Sequence, residues 1–225
     1  MYRAFVGSGS FAFLVAFVTL AAAQAPEQPA GKYEYVGTKT CKKCHIEVWE
    51  SWAKTKMANS FQVLKANAEL KPDEKTGLTD AWIAEIKASK AKGKPTIEPE
   101  KDYTRQADCL KCHTTGYGQP SGYAIPDPKD KKAQRKAEQL EGVTCESCHG
   151  PGSAYVKIFE EIQEKQRPYT RAELYAAGMY KIGPEICATC HNKESPLVGD
   201  DYVFDYEKRK AEGTHKHGEL KLRKE

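Results

Sequence analysis

All eight cysteines of this chain lie in four copies of the pentapeptide Cys-x-x-Cys-His, which span residues 41–45, 109–113, 145–149 and 187–191. We number these copies as the first to fourth motifs. The pentapeptide is typical of c-type haem attachment, in which two thiols add to the porphyrin vinyl groups and the histidine binds the iron. Four intact copies therefore predict four covalently bound haem c groups.

The predicted covalent attachment residues are the cysteines of the motifs, Cys41, Cys44, Cys109, Cys112, Cys145, Cys148, Cys187 and Cys190. The predicted proximal iron ligands are the histidines that follow them, His45, His113, His149 and His191. Paired cysteines can also bind zinc, act as a redox dithiol or belong to a disulfide framework. None of these alternatives explains a histidine directly after every pair, so haem attachment is the favoured interpretation.

The N-terminus predicts an exported protein. Arg3 precedes an apolar run over residues 11–20 and small residues that suit signal-peptide cleavage. We predict a signal peptide over residues 1–23 and cleavage after Ala23, because cleavage after Ala25 would leave Pro26 beside the cut. A membrane anchor is the alternative, but the run is shorter than the roughly 20 residues that span a bilayer. The mature chain, residues 24–225, is predicted to be periplasmic or extracellular, with no stable membrane span.

Composition predicts a fold that depends on its cofactors. The chain is 29% charged, and its mean hydropathy is −0.69, which is poor in apolar side chains for this length. We therefore expect the porphyrins to form much of the core, as bound metal does in small metal-dependent domains. Because the motifs run through the whole chain, residues 24–225 are predicted to form a single tetrahaem domain.

The formal net charge of +4 does not indicate nucleic-acid binding. Loss of Arg3 leaves +3, and eight ionised haem propionates would lower the net charge to about −5. The lysine-rich segment 129–136 is interpreted as a solvated helix face. No nucleic-acid partner is predicted, and some lysines are candidates for pairing with propionates or for steering a redox partner.

The fold class predicted from periodicity is mainly α, with long loops and no fixed repeat. Trp49 and Trp52 lie on one face of a first helix, and Thr170 with Glu173 forms a capping box. The predicted helices cover residues 46–64, 80–91, 129–141, 153–166, a short helix from 171 ending at Gly178, and 206 to the C-terminus.

The sequence contains few residues that could serve as the sixth ligand of a haem iron. Once four histidines are proximal, only His215 and His217 remain, so at most two haems can have two histidine ligands within one chain. Methionine also binds haem iron and raises its potential, and Met57 and Met179 are available, the latter interpreted as a core residue. The predicted inventory is one His/His haem, one His/Met haem and one or two haems with an open or unusual sixth position.

Several stretches make the chain resemble the tetrahaem cytochrome c-554 family. They are the first motif with Ser51-Trp52, the segment Asp108–His113 with Gly116-Tyr117-Gly118-Gln119, and above all residues 142–152, Gly-Val-Thr-Cys-Glu-Ser-Cys-His-Gly-Pro-Gly. The resemblance covers most of the mature chain. It implies a mainly helical fold, closely stacked haem pairs and mixed ligation, with no side-chain sixth ligand on the haem of His113.

The resemblance also suggests distal ligands and shows two departures from the family pattern. His215 or His217 matches a distal haem ligand that family members carry late in the chain, and it would bind the haem of His149. Met57 stands where relatives commonly have a histidine after Ser-Trp, and it would bind the haem of His191. After the third motif, where many related sequences carry a histidine, Tyr155 is the candidate. Tyr155 would ligate the haem of His45, line an open site or simply pack.

Three functions follow from these observations. The first is a periplasmic carrier that transfers electrons between redox protein donors and acceptors. The second is a haem enzyme that acts on NO, nitrite or hydroxylamine at an open iron, which would require acid–base groups that no spacing here singles out. The third is a subunit of an extracellular conductive filament that borrows histidines between chains. The carrier is favoured, and no catalytic residue is predicted.

Overall fold

The protein is described by a computed structural model over residues 32–74, 77–92, 97–199, 201–213, 215, 220 and 222–224. The predicted signal peptide lies outside this part of the chain. Within it, the ten α-helices are α1 Thr38–Lys42, α2 Ile46–Ala53, α3 Asp80–Ala91, α4 Ala107–His113, α5 Lys131–Glu138, α6 Cys145–His149, α7 Tyr155–Lys165, α8 Arg171–Ala176, α9 Pro184–Ala188 and α10 Tyr206–Gly213. Two 3-10 turns cover Gln62–Leu64 and Asn67–Glu69.

The prediction of a mainly α fold with long loops is confirmed. Across the described ranges, β-pairing is limited to isolated bridges. Helix α3 has the predicted bounds, and its N-cap Thr79 accepts a hydrogen bond from the backbone N–H of Trp82. The predicted cap of α8 is also present, because the Thr170 hydroxyl accepts from the N–H of Glu173.

The predicted helix over residues 46–64 is wrong in its second half. Helix α2 ends at Ala53, and turns carry the chain to the 3-10 turn at 62–64. The Asn59 side-chain amide donates to the carbonyl oxygens of Ala53 and Thr55, and the Thr55 hydroxyl donates to Trp52. These polar side chains compete for the carbonyls that a continuing helix would use.

Other helix boundaries are shorter than predicted because local groups cap them. Asp130 accepts from two backbone N–H groups at the start of α5, and α7 stops at Gln166, which is left-handed. The C-terminal residues 222–224 were predicted as part of a frayed helix, but they pair with Tyr169 in a parallel bridge. That pairing ties the end of the chain to the loop after α7.

Three small hydrophobic clusters replace one continuous core among the described residues. One lies around the second motif and is formed by Phe61, Leu64, Tyr103, Leu110, Tyr123, Ala137 and Leu140. A second packs α3 against Leu70 and Leu78. The third joins α7 and α8 and is formed by Tyr155, Ile162, Tyr169 and Leu174, with Met179 packed against it. The first cluster thus includes a residue of the second motif, Leu110.

Leu110 offers a test of how far the first cluster stabilises the holoprotein. Its side chain is fully buried between two cysteines of the second motif. We expect Leu110→Ala to lower the free energy of unfolding by about 2–5 kcal/mol, because it removes buried methyl groups and leaves a cavity. The matched change Leu197→Ala, at an exposed leucine, should cost about 0.5 kcal/mol or less. Equal losses in denaturant titrations of the two variants would contradict this assignment of the core.

Candidate haem attachment sites

Each motif folds as one helical turn, which is what haem attachment requires. In the first motif the backbone N–H of His45 donates to the carbonyl of Cys41 at 3.0 Å, and in the fourth His191 donates to Cys187 at 2.9 Å. The second motif ends α4 and the third forms α6. Residues i, i+3 and i+4 share one face of a helix. The two thiols and the imidazole of each motif therefore lie on the same side of the chain.

No disulfide joins the eight cysteines, all of which lie within the described residues. The thiol groups of different motifs lie beside each other. A hydrogen bond between Cys41 and Cys145 is the largest cause that raises the pKa of the former and lowers the pKa of the latter. The same relation holds for Cys112 and Cys190. The first motif is thus paired with the third, and the second with the fourth.

The two pairs of motifs also lie next to each other. Burial raises the pKa of the Cys148 thiol to about 11, and the nearby thiols of Cys187 and Cys190 raise it in the same direction. The third motif therefore neighbours the fourth as well as the first. The four attachment turns therefore lie close to one another, and a hydrogen bond also joins Thr115, just after the second motif, to Ser147 inside the third.

The imidazole of His113 is oriented for metal binding. Its Nδ1 lies 2.6 Å from the carbonyl oxygen of Ser60, and because a carbonyl can only accept, Nδ1 carries the proton and donates. Burial lowers the pKa of this ring, which favours the neutral form. The opposite nitrogen, Nε2, is then left with the lone pair that a metal needs, an arrangement common to metal-bound histidines.

The imidazole rings of His149 and His215 lie close together. Their ring centres are 6.4 Å apart and the rings are inclined by 37°. If haem iron is bound here, these two imidazoles are the side chains that would hold it, each through one ring nitrogen. His45 also lies within the electrostatic reach of His215, since burial and then the His215 charge lower the pKa of His45. His217, two positions after His215, lies outside the described residues.

The other two distal candidates occupy different surroundings. Tyr155 is buried, and its hydroxyl donates to the carbonyl of Gly150 at 2.8 Å. Burial raises the pKa of this phenol strongly, which disfavours the phenolate that would bind iron, so the contacts of Tyr155 favour packing. Met57 is half-buried, and its backbone carbonyl accepts from the N–H of Val143 at 3.0 Å. Its backbone therefore contacts the segment that leads into the third motif.

Two contacts that hold the motif pairs are not among the candidates found from sequence. Glu146, inside the third motif, accepts hydrogen bonds from the backbone N–H groups of Val36 and Gly37, just before the first motif. Lys111, inside the second motif, forms a 2.6 Å ion pair with Glu194 beyond the fourth. The sequence shows that charged residues occupy these variable positions of the motifs. It does not show which distant residues they contact.

Aromatic rings also pack beside the proximal histidines. Phe204 stacks on the ring of His191, with centres 4.5 Å apart and an angle of 20°. Phe159 meets the ring of His45 edge-on at 6.1 Å. Trp52 is buried and its indole N–H donates to the carbonyl of Val143 at 3.0 Å. Phe204 and Phe159 restrict how the two imidazoles can turn, and neither phenylalanine was among the residues singled out from sequence.

The motifs, their helical turns and the donor set define a multihaem c-type cytochrome, because thiols for covalent attachment and a ligating imidazole occur together four times. Comparison with known proteins gives the family. The family described as cytochrome c554 and c-prime matches residues 40–150. Cytochrome c-554 of Nitrosomonas europaea is 29% identical over 207 residues, which cover 83% of this chain and 77% of that protein.

The fold agrees with this relationship. The solved structure of the reduced state of cytochrome c554 from Nitrosomonas europaea matches with a TM-score of 0.66 and 26% identity, over 86% of this chain and 90% of that one. The chain belongs to the cytochrome c-554 family. It is a tetrahaem electron-transfer cytochrome with four covalently bound haem c groups, and its partners are redox proteins. In the described part of the chain, no helix combines the length and apolarity needed to cross a bilayer.

Proposed function

We propose that the eight motif cysteines bind the four haems through thioether bonds and that His45, His113, His149 and His191 are the proximal ligands. Haem iron supplies reversible one-electron oxidation and reduction. The protein residues hold each iron through a neutral imidazole and set the spacing between neighbouring groups. The observation that carries the proposal is the close approach of the motifs, since the thiols of the first lie beside those of the third and the thiols of the second beside those of the fourth. Closely spaced sites are what an electron-transfer protein needs.

We further propose that His215 is the distal ligand of the haem on His149. The support is the close approach of the two imidazoles, whose ring centres are 6.4 Å apart. Met57 remains the proposed distal ligand for the haem on His191, and His217 a second distal candidate for the haem on His149. Tyr155 is proposed to pack rather than to ligate, because its hydroxyl is already donated to Gly150.

The proposed location is the periplasm, because c-type haem is attached outside the cytoplasmic membrane in bacteria and the N-terminus has signal-peptide character. We propose that residues 24–225 act as a single domain, supported by the contacts that join all four motifs. A small nitrogen oxide is the proposed ligand class for any iron without a sixth side chain. The haem on His113 is the proposed site, on the basis of the family resemblance.

Ligation is tested by near-infrared magnetic circular dichroism of the oxidised holoprotein and of two variants. In His215→Ala we expect the His/His band to fall and a high-spin signal to appear, because one iron loses its sixth ligand. The Met57→Leu variant should instead lose a His/Met band. A His/His band of unchanged intensity in His215→Ala would overturn the assignment of His215.

The unchanged protein tests the remaining part of the proposal. Intact mass should show four covalently attached haems. A high-spin signal that NO converts to a six-coordinate spectrum would support an open iron and a nitrogen-oxide ligand. Four low-spin haems with no response to NO would contradict that part alone and leave electron transfer as the function.

A further inference from the structure

Glu146 is the most deeply buried charged residue among those described, with 1% of its surface exposed. Its Oε1 accepts hydrogen bonds from the backbone N–H groups of Val36 at 2.9 Å and Gly152 at 2.7 Å. Its Oε2 accepts from the N–H of Gly37 at 2.8 Å. Three backbone donors, two from the distant residues 36–37 and one from nearby Gly152, therefore converge on one carboxylate.

The hydrogen-bond pattern indicates that this group is ionised. Both oxygens accept from N–H donors, which leaves neither oriented towards an acceptor that a carboxyl proton would need. Burial raises the pKa of Glu146, and the bonds from Val36, Gly37 and Gly152 oppose that rise. Within the described residues no lysine, arginine or histidine forms an ion pair with it. Its negative charge is satisfied by dipoles but is not neutralised by a cation.

The carboxylate joins the two motifs of one pair. Val36 and Gly37 lead directly into α1, which carries Cys41, and Gly37 is the N-cap of that helix. Gly152 follows the third motif, and Glu146 itself lies in α6 between the cysteines of that motif. Helices α1 and α6 are in contact. Bonds that end on Glu146 therefore join the segment before the first motif to the third motif, beside the bonds between Glu34 and Ser153.

The charge also acts on sulfur atoms of both motifs. The hydrogen bond with Cys145 is the largest cause that raises the pKa of the Cys41 thiol, and the Glu146 charge raises it further. For Cys145, the hydrogen bond to Cys41 lowers the pKa, and the Glu146 charge opposes that decrease. Glu146 is therefore electrostatically close to one proposed attachment atom of each motif.

Resting on the proposed attachment of haem to these motifs, we propose that Glu146 is a positioning residue that also sets potential. Its carboxylate holds the first and third motifs together, and its unneutralised charge lowers the reduction potentials of the two haems they carry. A buried negative charge favours the ferric over the ferrous state, since the ferric centre carries one more positive charge and the interior screens weakly. The second and fourth motifs make no hydrogen bond or ion pair with Glu146 in the described part of the structure. The two haem pairs are thereby given different potentials by one side chain.

The experiment is a spectroelectrochemical titration of Glu146→Gln holoprotein, after intact mass has shown four haems. The glutamine keeps the shape and one carbonyl oxygen but removes the charge. We expect two of the four midpoint potentials to rise, each by about a tenfold change in the reduction equilibrium, which is about 59 mV for one electron. Four unchanged potentials, or an equal rise in all four, would overturn the proposal.

Two further variants distinguish the effect of the Glu146 charge from the effect of its side-chain shape. Glu146→Asp keeps the charge on a shorter side chain, so we expect unchanged potentials with a lower free energy of unfolding. Glu85→Gln removes an exposed carboxylate on α3, outside the attachment motifs, and should leave all four potentials unchanged, because water and salt screen exposed charges. If the glutamine variant fails to assemble, an aspartate variant with four haems and native potentials supports a required charge. Failure of both would show that only fit matters and overturn the electrostatic role.

The outcome is distinct from that of the proposed function. Fewer than four attached haems in the unchanged protein would count against the attachment assignments. If four haems are attached but their reduction potentials do not change in the Glu146 variants, the attachment assignments stand and only this inference fails.

Discussion

Replacing Gly142 with alanine is expected to lower the free energy of unfolding by about 3–5 kcal/mol, because a left-handed backbone and a direct overlap act together. Gly142 has a φ of +81°, and an added Cβ would overlap the carbonyl oxygen of Ala58. The N–H of Gly142 donates to the carbonyl of His113 at 3.0 Å. The chain must pass this closely because the segment leads from the second motif to the third.

Gly118 provides the matched control. Its φ is +78°, but nothing lies within 4 Å of an added Cβ. Gly118→Ala should therefore show the backbone cost alone, about 1–2 kcal/mol. Denaturant titrations of both holoproteins, followed by the visible haem spectrum and by far-ultraviolet circular dichroism, measure the difference. Equal losses in the two variants would show that the close approach at Gly142 is relieved by a small shift of the segment around Ala58.

The second large effect is expected for Thr115→Val, at about 2–3 kcal/mol of unfolding free energy, because it leaves buried polar groups without partners. Thr115 is fully buried, and its hydroxyl oxygen accepts from the N–H of Thr144 at 3.0 Å. The same oxygen lies 3.0 Å from the carbonyl oxygen of Gly142 and 2.7 Å from the hydroxyl of Ser147. One hydroxyl after the second motif thus binds both the approach to the third motif and a residue inside it.

The adjacent threonine serves as the control for this substitution. Thr114 is also buried, and its hydroxyl donates to the carbonyl of Leu110 at 2.6 Å. That carbonyl also accepts the backbone N–H of Thr114 at 3.0 Å, so Thr114→Val leaves it with a partner and should cost about 1 kcal/mol. A Thr114 variant as unstable as the Thr115 variant would mean that the hydroxyl network between the motifs contributes little.

Local structure was predicted well where a few neighbouring residues decide it. Helix α3 was predicted with its correct bounds from the apolar spacing of Trp82 and Ile86, and in the structure the Thr79 cap fixes its start. The helix from residue 46 was extended too far because Thr55 and Asn59 were counted as helical, whereas their side chains bind the carbonyls that end α2. The C-terminus was predicted as helix from its charge pattern, but pairing of residues 222–224 with Tyr169 decides its conformation.

The sequence by itself determined the number of haems, because attachment depends on chemistry contained in five consecutive residues and helical geometry brings the thiols and imidazole together. It also indicated that internal distal ligands are scarce, since that is a matter of counting histidines. Only the tertiary structure decided which motifs are neighbours. The bond from Val36 to Glu146 joins residues 110 positions apart, and the Ser60 carbonyl that holds His113 is 53 positions away. Backbone groups are the same in every residue, so no pattern of side chains could have shown these partners before the chain was folded.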